Sequence, residues 1–224
     1  MPTEFEVKFL DINVEKIKEI LLNNGATRVH KRKLYKRHAY ARCGEAMPGF
    51  ARVRKEGKDV TMTAKFKKDE KYYEEYEVNI KDGFETGVAF MNALGLEPRA
   101  YQESLREKWS HPLVHEITFD TLPGLPTYME VDCTSEENLN QIIKLLNLDE
   151  SKKRFGGFDS TYFEYYDIPR DTINRKTPSL TFVNIQNEIK PTKNIELFQK
   201  VCKAHNAIAD KIKKKKLTRE SNKK

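Results

Sequence analysis

The chain has 224 residues and a mass of 26.2 kDa, with 38% apolar and 33% charged residues. Its 12 Phe, 10 Tyr and one Trp are enough aromatic mass for a core, which excludes wholesale disorder. No stretch approaches the roughly 20 apolar residues of a membrane helix. No secretory pattern is expected at the N-terminus. Three scattered cysteines (Cys43, Cys133, Cys202) exclude a disulfide framework and a CxxC zinc site, so inert thiols in a reducing, cytoplasmic compartment are expected.

The formal charge of +7 is unevenly placed. Residues 170–224 carry 15 basic and 5 acidic side chains, a net of +10, leaving 26 basic and 29 acidic for residues 1–169. The basic character lies in the tail, and the first 169 residues are dense in both signs.

In chain order, Glu4 to Phe9 alternates charged and apolar residues, the pattern of a strand. Val14, Ile17, Ile20 and Leu21 give helical spacing over Val14 to Asn24, with Gly25 as the stop. Residues 28–42 read as a strand, Gly44 to Gly49 as a turn, and residues 50–55 and 60–66 as a hairpin. A strand follows at Tyr72 to Ile80 and a helix at Phe84 to Leu94, closed by Gly95. Strands are expected at 101–110, 115–120 and 128–133, then a helix from the N-cap Ser135 to Leu146. A last strand is expected at Thr161 to Tyr166. Strands come in twos and threes without strict alternation with helices. The expected fold is therefore α+β, an antiparallel eight-stranded closed barrel with helices packed outside, over residues 1–167. Residues 168–224 read as a basic extension. It comprises a linker over Ile168 to Pro178, an isolated strand over Leu180 to Ile185, an amphipathic helix (Ile195, Phe198, Cys202, His205, Ile212) and a disordered end.

Residues two apart in a strand share a face. By that rule Glu4, Glu6 and Lys8 align, as do Arg52 and Arg54, Glu75 and Glu77, Arg106 and Lys108, Glu116 and Asp120, and Glu130 and Asp132. Apolar residues lie between them. If the helices cover the apolar faces, the charged faces point inward round a polar tunnel. A basic half of Arg52, Arg54, Lys65, Arg106 and Lys108 suits a polyphosphate. An acidic half of Glu4, Glu6, Glu130 and Asp132 suits Mg²⁺ or Mn²⁺.

The ordered set Glu4-x-Glu6-x-Lys8, Arg52-x-Arg54, Thr61-x-Thr63-x-Lys65, Glu75-x-Glu77, Arg106-x-Lys108, Asp120 and Glu130-x-Asp132 resembles the CYTH family, the triphosphate tunnel metalloenzymes, over about residues 4–166. The stretches 100–109 and 120–132 are most similar to class IV adenylyl cyclase-like members. The resemblance implies that Glu4, Glu6, Glu130 and Asp132 bind metal, with Asp120 and Glu77 in support. It implies phosphate binding by the five basic residues. Lys8 would bind phosphate or help activate water, and Tyr40 would orient the nucleophile. The family's usual Lys-x-Arg reads Arg106-x-Lys108 here, and its last Glu-x-Glu reads Glu130-x-Asp132.

The implied activity is metal-dependent triphosphatase action on inorganic triphosphate, a nucleoside triphosphate or an RNA 5′-triphosphate. The alternatives are formation of 3′,5′-cyclic AMP and pyrophosphate from ATP, and a non-catalytic polyphosphate- or RNA-binding module. The lysine run 213–216 is either a solvated helix end or an electrostatic arm for RNA, another polyanion or an acidic partner.

Overall fold

A computed structural model describes residues 3–41, 49–67 and 73–221, with side chains of residues 3, 4 and 215–221 excepted. The expected turn at 44–49, apart from Gly49, and Cys43 lie outside the described residues. The elements are β1 (Thr3–Phe9), α1 (Val14–Asn23), β2 (Thr27–Ala41), β3 (Gly49–Glu56), β4 (Asp59–Lys67), β5 (Tyr73–Asn79), α2 (Phe84–Ala93), β6 (Pro98–His111), β7 (Val114–Thr121), β8 (Tyr128–Cys133) and α3 (Glu136–Leu145). The C-terminal part adds α4 (Phe158–Tyr166), β9 (Ser179–Leu180), α5 (Ile185–Glu188) and α6 (Ile195–Ser221). Among the described residues no helix is long and apolar enough to cross a membrane.

Local chemistry sets the helix ends. Asn13 and Ser135 cap α1 and α3 by accepting from the backbone N–H of Lys16 and Asn138. Gly25 (φ 80°) and Gly95 (φ 77°) turn the chain out of α1 and α2 through a conformation that costs a side-chain-bearing residue about 1–2 kcal/mol.

The strands run β2-β3-β4-β5-β1-β8-β7-β6-β9, antiparallel except for β9, which lies parallel to β6. A long ladder between β2 and β6 curls the sheet round on itself. The apolar face points outward and is covered. Val7, Phe9, Ile117, Phe119, Met129 and Val131 pack under α1 and α3. Val53 and Tyr40 pack under α2. The charged face is thereby left inside.

Four expectations are corrected. The wall is a strongly curled half-barrel, open rather than closed. Among the described residues β1 meets β5 through two residue pairs, against five with β8. The physical reason lies at Lys8, whose backbone N–H and C=O exchange hydrogen bonds with Arg154, so a later segment takes the free edge of β1. Thr161 to Tyr166 is helical, not extended. Tyr162, Tyr165 and Tyr166 bury one helical face, and the Oη of Tyr162 and of Tyr166 each donate at 2.6 Å, to the carbonyls of Pro123 and Gly124. The segment read as a linker is docked. Ile168 and Ile173 are buried, and residues 172–176 form a π-helical turn closed by Thr177 Oγ1 donating to the Thr172 carbonyl. The strand expected at 180–185 shrinks to Ser179–Leu180 and then turns into α5.

The helical stripe expected in the tail is present from Phe198 onward, while Ile195, expected to open it, is exposed. Phe198, Cys202, His205, Ala209 and Ile212 are all buried along α6. His205 packs edge-on to Phe182, and its Nδ1 accepts from the Gly124 N–H. Burial, with Arg32 nearby, lowers its pKa to about 4. Because the folded value lies below the unfolded one, the contribution to stability is complete above about pH 6.5 and is lost as pH falls towards 4. That amounts to at most about 3 kcal/mol. The urea midpoint is expected to fall from pH 7.5 to pH 5, and a His205→Gln variant to fall less. Equal falls in both proteins would show that His205 does not carry the effect.

Candidate active site

The inward residues of all eight strands line one cavity of about 430 Å³. Period two decides membership on each strand: Glu6 and Lys8 on β1, Arg52 and Arg54 on β3, Glu75 and Glu77 on β5, Arg106 and Lys108 on β6, Glu130 and Asp132 on β8. Among the described residues ten Lys or Arg and nine Asp or Glu side chains line the wall, so the net charge nearly cancels and placement decides function.

Register brings the signs together. Arg106 sits opposite Asp120, and Glu6 and Glu116 both sit opposite Asp132. Arg106 is the hub of the basic half. Its Nε donates to Asp120 Oδ1 at 2.7 Å, Nη2 to Glu130 at 2.8 Å and Nη1 to Glu116 at 3.3 Å. Lys108 also pairs with Glu116. Burial alone would raise the Glu116 carboxyl, but Arg106 and Lys108 prevail and lower it to about 2. Arg52 reaches Glu75 at 3.1 Å, and Lys65 reaches Glu75 at 2.9 Å and Glu6 at 3.5 Å. Arg54 reaches Glu77 at 3.4 Å, and Thr63 Oγ1 donates to Glu77 at 2.7 Å.

The acidic half behaves differently. Burial, with Glu6 and Asp120 close by, pushes Glu130 up to about 8 against the pull of Arg106 and Lys8. Burial pushes Asp132 up to about 6 although His115 Nδ1 lies 2.9 Å from Oδ2. Asp132 Oδ1 is buried and has no partner. Among the described residues no three or more His, Cys, Asp or Glu side chains stand as a ready-made ligand set.

Lys8 is 1% exposed. Its ammonium donates to the carbonyls of Gly156 and Gly157 and lies 3.4 Å from Ser160 Oγ. Burial lowers its pKa, while Glu130 and Glu6 oppose the shift. In this arrangement Lys8 ties the loop before α4 to the floor of the cavity.

Of the residues expected in the site, Glu6, Lys8, Arg52, Arg54, Lys65, Glu77, Arg106, Lys108, Asp120, Glu130 and Asp132 line this one cavity. The Glu4 side chain lies outside the described residues. Tyr40 is the correction: it is fully buried on the outward face, beside Val53, Phe84 and Met91, and its Oη lies 3.4 Å from the Val88 carbonyl. Alternation along β2 explains this, since Tyr35, Arg37 and Ala39 face inward and Tyr40 is of opposite parity. The same parity would have found Arg37. Asn174 and Phe158, which also line the cavity, carried no signal, because they enter from segments read as a linker and as the approach to a strand. Cys133 and Cys202 are buried free thiols, raised by burial to about 12 and about 11, so they stay protonated.

Sequence comparison matches the chain to no family profile and to no curated protein. Solved structures do match. A Vibrio parahaemolyticus protein provisionally named adenylate cyclase superposes with a TM-score of 0.60 at 13% identity, covering 70% of this chain and 95% of that one. The PH1012 protein of Pyrococcus horikoshii gives 0.57 at 19% identity, covering 67% and 94%. A Bacillus halodurans protein provisionally named adenylate cyclase gives 0.50 at 18%, covering 73% and 100%.

The chain has their fold. That agrees with the resemblance to the CYTH family carried by its charged strand motifs. Those proteins are matched over nearly their whole length, while roughly a third of this chain is left over.

Proposed function

We propose that this chain is a metal-dependent enzyme acting on a triphosphate-containing substrate, with triphosphatase as the primary reaction. One observation carries the reading: five basic side chains (Arg52, Arg54, Lys65, Arg106, Lys108) and the carboxylates Glu6, Glu130 and Asp132 share one cavity. A simple anion receptor gains nothing from crowded carboxylates, which repel the ligand.

The acidic residues fit a divalent cation by their chemistry. They are hard oxygen donors, they crowd one another enough to raise Glu130, and Asp132 keeps an orphaned buried oxygen. Glu6, Glu130 and Asp132 would hold Mg²⁺ or Mn²⁺, with Asp120 and Glu77, already engaged by Arg106 and by Thr63 and Arg54, standing behind them. Such an ion, when bound, neutralises phosphoryl charge. The chain's own part is to seat the phosphates. Arginine forks on β3 and β6 grip paired oxygens, and Lys65 and Lys108 add point charges. Attack by water on the terminal phosphorus breaks its bridging P–O bond and releases orthophosphate.

Cyclisation of ATP is the second reading, favoured by the names of two structures that share the fold. It differs in the attacking oxygen, the ribose 3′-hydroxyl. Phosphorus NMR of products from ATP and from inorganic triphosphate, each with Mg²⁺ or Mn²⁺, separates the two. Orthophosphate from either substrate is the expected result. Cyclic AMP with equal pyrophosphate would transfer the assignment to cyclisation. Absence of turnover with either metal would remove the enzyme reading.

The tail retains its polyanion proposal at lower rank. Lys200, Lys203, Lys211, Lys213 and Lys214 lie along α6 and are exposed.

A further inference from the structure

The cavity cations are not equivalent. Arg52, Arg54, Lys65, Arg106 and Lys108 each sit within ion-pair distance of at least one carboxylate. An incoming anion must compete with those carboxylates for them. Arg37 on β2 has no such competitor.

Its Nε donates to Gln102 Oε1 at 2.8 Å, and its guanidinium lies over the Phe158 ring, 4.4 Å from the centroid. Among the described residues no carboxylate comes within ion-pair distance, and no acceptor meets Nη1 or Nη2, although the side chain lines the cavity. Sheet register makes the isolation sharper, because Arg37 stands directly opposite Arg54 across the β2–β3 ladder. Like charges in that position repel. Burial pulls its pKa down to about 10, with Arg52, Arg54 and Arg106 adding to the fall and Tyr128 opposing it. A half-desolvated cation among cations lowers stability unless something anionic visits it.

We propose that Arg37 is the anchor for an anionic oxygen of the substrate, held in aim by Gln102 on one side and Phe158 on the other. This rests on the reading of the cavity as a triphosphate site, and it assigns a phosphoryl oxygen to the end of the cavity walled by Phe158. The two free Nη groups offer the planar, paired donors that fit two oxygens of one phosphoryl group. No ion pair has to break for them to do so. Gln102 and Phe158 hold the guanidinium so that little rotamer freedom is lost on binding.

The alternative role is a brace, in which Arg37 merely holds Gln102 and Phe158 in place. The two roles predict opposite signs of stability. Removing a brace lowers the melting temperature. Removing an uncompensated charge leaves it unchanged or raises it.

The test compares the full chain with Arg37→Gln and Arg37→Lys. Inorganic triphosphate is titrated by calorimetry without divalent cation, and melting temperatures are recorded without ligand. Arg37→Gln is expected to bind about 10- to 100-fold more weakly, the worth of a charge-assisted hydrogen bond or two. Its melting temperature is expected to match or exceed that of the unaltered protein. Arg37→Lys is expected to recover part of the affinity. Unchanged affinity in Arg37→Gln would overturn the anchor and leave the triphosphate reading standing. Weaker binding together with a clear fall in melting temperature would make Arg37 a brace and also overturn it. If the unaltered protein fails to bind triphosphate even with Mg²⁺ or Mn²⁺, the functional reading falls and the anchor falls with it.

Discussion

Arg106→Met is expected to lower stability by about 3–5 kcal/mol at pH 7, the cost of stranding a buried charge by deleting its partner. The size follows from what Arg106 satisfies. It bonds Asp120 through Nε at 2.7 Å, Glu130 at 2.8 Å and Glu116 at 3.3 Å, and Asp120 is only 2% exposed. Methionine fills much of the volume but answers none of those oxygens. Arg106→Lys keeps one charge and loses the fork, so an intermediate loss is expected. Adding Asp120→Asn to Arg106→Met is expected to recover part of the loss, because the most buried charge then disappears. Urea midpoints for the four proteins read this directly. An unchanged midpoint in Arg106→Met would mean that the carboxylates find solvent, and their burial in the cavity would have to be redrawn.

Glu6→Gln combined with Glu130→Gln is expected to reduce metal-dependent turnover by about 10³-fold or more, given that single electrostatic groups at a reacting centre are each worth about 10²–10³. Stability is expected to move the other way. Glu130 has a folded pKa near 8, above its unfolded value, so its contribution is complete below the usual carboxylate range, is lost as pH rises from there towards 8, and is a full cost above that. The amide removes that cost. The double variant should therefore melt at the same or a higher temperature at pH 8.5, while its phosphate release is lost. Full activity in this variant would discard the metal assignment. Lost activity with a collapsed fold would point to a structural role for the pair.

Most of the cavity was legible in the sequence because one rule, period two in a strand, governs it. Glu6 and Lys8, Arg52 and Arg54, Arg106 and Lys108, and Glu130 and Asp132 alternate with apolar neighbours, and the covering helices decide which face is inside. The rule failed where the residue type suggested a role against its parity. Tyr40 was read as a site aromatic, yet it lies on the outward face with Val53. Arg37, of the right parity, was lost among the many basic residues of β2. The C-terminal part was misread for another reason. Tyr162, Tyr165 and Tyr166 fit an aromatic strand as well as a helix over so short a window, and distant partners, the carbonyls of Pro123 and Gly124 and the carboxylate of Asp11, select the helix. Closure was misjudged because no strand pattern reveals that Arg154 occupies the edge of β1.

The tie between Lys8 and the loop before α4 also sets an order of assembly. β1 carries the earliest charged motif, yet its long ladder is with β8, five pairs running from Phe5–Cys133 to Phe9–Met129. Among the described residues its lysine is held by the backbone of Arg154 and, through the ammonium, by Gly156, Gly157 and Ser160. During synthesis at about 5–20 residues per second, β1 waits on the order of 10–30 s for those partners to emerge. Contacts of such sequence separation close slowly. β1, made before these partners, is thus seated late. While it waits, the charges of Glu6 and Lys8 keep one face of it wetted, so the residues that later line the cavity also protect the nascent chain from premature pairing.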